Sequence, residues 1–180
     1  ENYGKKFYGP STLRKGIEKS RNLMTVRIAQ QVGFDKISKI SKDLDIYENT
    51  PELLSVSLGS NETTLLKLTN AYCSFVNGGK KIRPILISRI QDRRGKTIFN
   101  SEKAKCKGCD VVLETKDTGP KIIDQGQQVL SPETAYQITS MLEGVVKRGT
   151  GKKLKGLNLP LAGKTGTTNK NTDAWFIGFT

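Results

Sequence analysis

The chain has no histidine, and its three cysteines are Cys73, Cys106 and Cys109. Cys106 and Cys109 form a C-x-x-C in a Lys-rich stretch, and a structural zinc there would need two further ligands. With no histidine and no second C-x-x-C to supply them, no metal site is expected. Redox pairs of this spacing normally open a helix beside a strand, whereas this one falls in an expected loop. A local disulfide or two free thiols is the favoured reading, and the disulfide gains in an oxidising compartment. Cys73 falls in a helical pattern, Ala71-Tyr72-Cys73-Ser74-Phe75, and reads as a small core residue.

Long apolar runs are also missing. None approaches the roughly 20 residues that span a bilayer, and no signal peptide is visible. The chain opens on Glu1 and not on methionine, which leads us to expect a piece of something longer. Apolar residues make up 35% of the 180 residues and mean hydropathy is −0.46, values that fit one globular domain with a core and a wet surface. Acidic residues are scarce, 17 against 30 basic ones, for a net charge of +13. Such an excess suits an anionic partner: nucleic acid, a membrane surface or a polyanionic polymer. Nucleic-acid surfaces interleave basic clusters with exposed aromatics. The aromatics here are scattered, and Phe75, Trp175 and Phe176 sit at positions expected to be buried, so no nucleic-acid partner is assigned. A passive basic surface fits the charge equally well.

Ser11 or Thr12 is expected to cap a helix running to about Lys19, and Ser20-Arg21-Asn22 interrupts it. A second helix spans 23–32 and stops at Gly33, and a short third spans 35–44. Residues 51–58 are ambiguous. Ser60 or Asn61 is expected to cap a helix over 62–76, with a stripe of Leu65, Leu68, Tyr72, Phe75 and Val76. The period then changes to two. A strand is predicted over 85–90, a turn over 92–96 and a returning strand over 97–99. Residues 101–124 form a polar, Lys-rich insertion carrying the C-x-x-C. Ser131-Pro132-Glu133 is a strong helix start, and that helix should run to about Lys147 before Arg148-Gly149-Thr150-Gly151 ends it. A basic loop, a strand over 161–168, a turn at 169–173 and a last strand over 174–179 complete an α+β pattern. The organisation reads as a mostly helical part (1–82), a strand hairpin with a basic insertion (83–130), and a helix followed by a strand hairpin (131–180).

Lys164-Thr165-Gly166-Thr167 lies on the first strand of that last hairpin. One cation, two hydroxyls and a bare glycine on a strand suit a site that grips a carboxylate. Gly166 would let a substrate backbone approach closely. Lys-Thr-Gly is also one of three signatures of serine acyl-transfer enzymes acting on peptidoglycan or β-lactams.

Further blocks surround it in a specific order: Tyr8-Gly9-Pro10 with Thr12-Leu13-Arg14, Ser20-Arg21-Asn22-Leu23, Leu68-Thr69-Asn70-Ala71-Tyr72 and Asn77-Gly78-Gly79. Arg148-Gly149-Thr150-Gly151, Ala162-Gly163-Lys164-Thr165-Gly166-Thr167-Thr168 and the run from Asp173 to Thr180 follow. In that order and spacing the chain resembles, over nearly its whole length, the transpeptidase domain of class A penicillin-binding proteins. The resemblance implies part of a β-lactamase/transpeptidase-like fold, a helical subdomain with an incomplete antiparallel sheet. In that family a serine of a Ser-x-x-Lys motif attacks the D-Ala-D-Ala bond of a stem peptide, and an amine from a neighbouring stem resolves the acyl-enzyme. Ser20 would relay protons between the catalytic lysine and the leaving amine. Asn22 would hold the substrate amide and help orient that lysine. Lys164 would keep the cleft positive and support the relay, while Thr165 and Thr167 would bind the substrate carboxylate. The Thr167 N–H would be one of two oxyanion donors. The implied partners are peptidoglycan stem peptides, their lipid-linked precursor and β-lactam antibiotics, with no cofactor. The implied setting is the periplasmic face of a bacterial inner membrane, reached through an anchor outside these residues.

The nucleophile motif itself is missing, since no serine is followed by a lysine three positions on. Thr12, Thr64 and Thr150 are so followed, by Lys15, Lys67 and Lys153, but in no family-like context. The attacking serine is therefore expected upstream of Glu1, with a glycosyltransferase domain further upstream, and the chain as given is expected to be inactive alone. Two other readings are a β-lactamase, for which Glu52-Leu53-Leu54 is the one vaguely comparable carboxylate stretch, and a non-catalytic basic module binding an anionic polymer.

Overall fold

The computed structural model of the protein describes residues 2, 6–101, 106–107, 121–122, 126–168 and 172–180, with the backbone alone at 106–107 and 121–122. The pairing state of Cys106 and Cys109 lies outside the described residues, as does most of the turn expected at 169–173. In chain order the elements are α1 (Leu13–Glu18), α2 (Asn22–Val32), α3 (Phe34–Asp43), α4 (Leu65–Val76), β1 (Lys80–Lys81), β2 (Arg89–Gln91), β3 (Thr97–Asn100), β4 (Cys106–Lys107), β5 (Lys121–Ile122), β6 (Gln127–Gln128), α5 (Pro132–Lys147), β7 (Ala162–Thr167) and β8 (Ala174–Phe179). Two 3-10 turns, Leu54–Leu58 and Lys152–Leu157, complete them. Helices combine with short antiparallel pairs, the α+β pattern expected from the sequence. The residues group into two units, Glu1–Ile82 with Gln128–Thr180, and Arg83–Gln127.

In the first unit α5 is the central element, packed on α1, α4 and β7. It starts where its sequence says it should. The Ser131 hydroxyl accepts the Thr134 N–H at 3.2 Å, and Pro132 and Glu133 fill the first turn. Its buried face is small and branched, Ala135, Leu142, Val145 and Val146, and Ala71 of α4 and Ala162 of β7 are buried as well. Small side chains let the helix axis come close to the strand, which brings the end of α5 beside β7.

Four expectations need correction. Cys106, expected in a loop, lies on β4, whose backbone pairs with β5. α4 begins at Leu65, three residues later than predicted, and Thr64 caps it by accepting the Lys67 N–H at 3.2 Å. The preceding residues are tied elsewhere: Thr63 donates to the Ile46 carbonyl at 2.7 Å, and Tyr47 donates to the Asn61 carbonyl at 3.1 Å. The strand predicted over 85–90 shrinks to β2, because its partner β3 is four residues long and pairing starts at Arg89 with Asn100. Trp175 is 55% exposed, and Phe75, Phe176 and Cys73 are half-buried. Trp175 pairs across the hairpin with Gly166, which has no side chain to cover it.

The second unit contains the β2–β3 hairpin and the β4–β5 pair, both antiparallel. Asp92 closes the β2–β3 turn by accepting the N–H groups of Arg94 and Lys96 at 2.8 and 2.9 Å. No helix among the described residues is long and apolar enough to cross a membrane.

Candidate active site

The site begins at the end of α1. Lys19 closes that helix, Ser20 N–H donates to the Ile17 carbonyl at 3.1 Å, and Arg21 N–H donates to the Gly16 carbonyl at 2.9 Å. These two bonds form a Schellman turn, whose left-handed position glycine usually fills. Here Ser20 fills it, with φ of +50°. An L-residue in that region is strained by roughly 1–2 kcal/mol. The turn aims the Ser20 side chain out of the helix end and starts α2 at Asn22 two residues later. Arg21 stacks its guanidinium on the Tyr8 ring, so the Tyr8-Gly9-Pro10 block meets the Ser-x-Asn block directly.

Lys164 arrives from β7, 144 residues away, and its Nζ donates to Ser20 Oγ at 2.8 Å and to the Thr165 carbonyl at 2.9 Å. Burial among these neighbours pushes the Lys164 ammonium below its ordinary value. A lysine eased toward its neutral form, in contact with a hydroxyl, can pass a proton through that hydroxyl.

The strand beyond Lys164 opens to solvent. Thr165 is half-buried, and Gly166 and Thr167 are exposed. A Cβ built on Gly166 would meet no atom within 4 Å, so the strand is bare there. Thr165 Oγ1 shares a 2.6 Å hydrogen bond with Thr150 Oγ1. The hairpin closes where Asp173 N–H donates to Thr168 Oγ1 at 2.9 Å and Thr168 N–H donates to the Asp173 carbonyl at 3.1 Å.

Ser20 and Lys164 are thus brought into contact, and Thr165, Gly166 and Thr167 continue along the same strand. Asn22 is half-buried in the first turn of α2. The hydroxyls of Thr12, Thr64 and Thr150 prove to be occupied. Thr12 and Thr64 cap α1 and α4, and Thr150 bonds Thr165. Glu52 is exposed, ahead of the first 3-10 turn. A recess of about 450 Å³ beside Tyr47, Asn61 and Lys67 contains none of the predicted site residues. Sequence reasoning gave no individual role to Glu18, Arg148 or Thr150, although two of them sit in the Arg148-Gly149-Thr150-Gly151 block. The buried Glu18 carboxylate pairs with Arg148 and holds that guanidinium above its ordinary value.

A serine at a helix end thus touches the lysine of a Lys-Thr-Gly strand. The whole chain, residues 1–180, matches the penicillin binding protein transpeptidase domain, and the chain belongs to that family. It is 46% identical over 182 residues to Penicillin-binding protein 1A of Rickettsia bellii, covering 100% of this chain and 23% of that protein. It is 32% identical over 204 residues to Penicillin-binding protein 1A of Pseudomonas aeruginosa, covering 96% of this chain and 25% of that protein. The chain therefore spans about a quarter of the length of these curated relatives. Among solved structures it is similar to Penicillin-Binding Protein 1A from Haemophilus influenzae, with a TM-score of 0.82, 30% identity and coverage of 99% of this chain and 30% of that one. It also shares its fold with penicillin-binding protein A from M. tuberculosis in an imipenem acyl-enzyme complex, at a TM-score of 0.73 and 21% identity over 99% of this chain and 42% of that one.

Proposed function

We propose that this chain forms the substrate-holding wall of a D,D-transpeptidase that cross-links peptidoglycan stem peptides and is acylated by β-lactams. The observation that carries the reading is the 2.8 Å contact between Lys164 Nζ and Ser20 Oγ. In the proposed cycle the attacking serine comes from a Ser-x-x-Lys segment outside these residues. Its proton passes to the lysine of that segment as its oxygen adds to the carbonyl of the penultimate D-Ala, and the bond to the terminal D-Ala then breaks. Ser20 delivers a proton to the departing amine, and Lys164 supports that transfer electrostatically. An amine of a second stem then attacks the ester, passes its proton back along the same path and releases the serine. Asn22 holds the substrate amide, Thr165 and Thr167 bind its carboxylate, and the Thr167 N–H stabilises the oxyanion. Gly166 lets the peptide lie against the strand.

Several features support this assignment. The family match covers the chain end to end. The relatives named Penicillin-binding protein 1A are about four times longer, which leaves room for a nucleophile segment, a glycosyltransferase domain and an anchor. On this reading the whole protein works at the periplasmic face of a bacterial inner membrane, on lipid-linked precursors and stem peptides. Residues 83–130 are then an insertion in the sequence between the cleft-forming parts, 1–82 and 131–180.

The test is incubation of the full-length protein with a labelled penicillin, followed by mass spectrometry. A stable adduct on a serine outside these 180 residues is expected, slowed by Ser20→Ala, with no label on the isolated chain. Covalent label on the isolated chain would remove the external nucleophile. Rapid turnover of a chromogenic β-lactam would move the protein to the hydrolases.

A further inference from the structure

The Ser20 turn is strained, and something must hold it in register with β7. α1 ends on Glu18, which is 6% exposed. Its carboxylate receives Arg148 through two bonds, Nη2 to Oε1 at 2.5 Å and Nε to Oε2 at 3.3 Å. Arg14, one turn earlier, stands 4.0 Å from Oε1. The main chain repeats the link. Thr150 N–H donates to the Glu18 carbonyl at 3.1 Å, and Lys19 Nζ donates to the Arg148 carbonyl at 2.5 Å.

Space for this junction is provided by two glycines. A Cβ on Gly144 would fall 2.0 Å from Glu18 Oε1, and one on Gly149 would fall 2.2 Å from the Glu18 carbonyl oxygen. A side chain at 149 would push the main chain at the end of α1 away, and one at 144 would displace the Glu18 carboxylate from Arg148. The same three residues, 148–150, also reach the other half of the site through the Thr150–Thr165 hydroxyl contact. One short segment therefore grips both the helix end that presents Ser20 and the strand that presents Lys164. A side-on guanidinium–carboxylate pair fixes orientation as well as distance, which a lysine in the same place would not do.

We propose that Glu18 and Arg148 are positioning residues for Ser20, holding its hydroxyl within reach of Lys164 by clamping the end of α1 to the end of α5. This rests on the transpeptidase reading above. Neither residue touches the reacting atoms; each acts through Ser20.

The experiment measures acylation of the full-length protein by a fluorescent penicillin, separating the rate of the chemical step from the affinity of the preceding complex. Glu18→Ala and Arg148→Ala should each slow the chemical step about 10- to 100-fold and leave that affinity little changed. The double variant should be no slower than the worse single one, because both act on one element. In a Ser20→Ala background Glu18→Ala should have no further effect. Val56→Ala, a core truncation in the same unit, should leave the folded protein acylating at the parent rate. Where Glu18→Ala does not fold, Glu18→Gln keeps the shape and an acceptor oxygen, and should show a smaller loss of the same kind. A wild-type chemical step in these variants overturns the proposal. So does an additive loss in the Ser20→Ala background, or an equal loss in Val56→Ala. If Ser20→Ala itself acylates normally, the cleft reading fails and this one fails with it, a result distinct from the others.

Discussion

The two halves of β7 use the same residue type for opposite ends. Over 162–164 the strand is sealed between α5 and β8, and a Cβ on Gly163 would fall 2.4 Å from the Phe176 ring and 2.6 Å from the Ile177 carbonyl oxygen. Over 165–167 it is open, and a Cβ on Gly166 would meet nothing. One glycine is there because the protein comes too close; the other leaves space the protein does not fill. The strand passes from core to surface within six residues, and Lys164 stands half-buried at the boundary with its amine against Ser20. The contrast separates a crowded glycine, which marks packing, from a bare one, which on the proposed function marks a place for substrate.

The largest test of this contrast lies at the boundary. Lys164→Ala in the full-length protein should slow penicillin acylation by about 100- to 10,000-fold, the range for a positioned proton-transfer group. Unchanged labelling kinetics would make Lys164 a structural residue. On the open side, Gly166→Ala should leave thermal unfolding where it was and slow acylation by about 100-fold through a displaced substrate. A fall in melting temperature without loss of labelling would reverse the assignment of that half. On the sealed side, Gly163→Ala should destabilise the fold by about 1–3 kcal/mol through overpacking, read by urea unfolding, and act on labelling only through the folded fraction. The smallest effect is in pH. Lys164 has a folded value below its unfolded one, so the unfolded chain binds more protons between the two and stability rises with pH across that window. The burden of a buried ammonium is complete below the folded value and gone above the ordinary lysine value. Lys164→Met should therefore gain stability relative to wild type at neutral pH, and that gain should shrink as pH climbs through the window. A gain that does not change with pH would mean that the amine is not desolvated.

Much of this was legible in the sequence where the signal is local. Ser131, Pro132 and Glu133 announce α5, and the 3.6 period carries it to Lys147. Ser20 to Asn22 reads as a break between helices because turn-prone residues interrupt the helical pattern, and the Lys-Thr-Gly strand is placed by its apolar partner over 174–179. What could not be read locally was set by distant partners. Thr64, not Ser60 or Asn61, caps α4 because Thr63 and Asn61 are held by Ile46 and Tyr47. Trp175 reads as core from its apolar neighbours, yet it lies opposite Gly166, which has no side chain to cover it. Glu18 looks like an ordinary helix-end carboxylate on paper, and only the return of the chain at Arg148, 130 residues later, buries it. The union of Ser20 with Lys164 was reached through the family resemblance, since no periodicity links positions 144 apart.

Ser20 occupies a corner that a helix would rather close with glycine. A glycine there would relax the turn, recovering roughly 1 kcal/mol, and would also erase the hydroxyl that Lys164 reaches. On the proposed function, selection for heat tolerance and selection for cell-wall synthesis would then pull this codon in opposite directions. A library of variants passed through the first sieve should enrich glycine at position 20, and one passed through the second should keep serine.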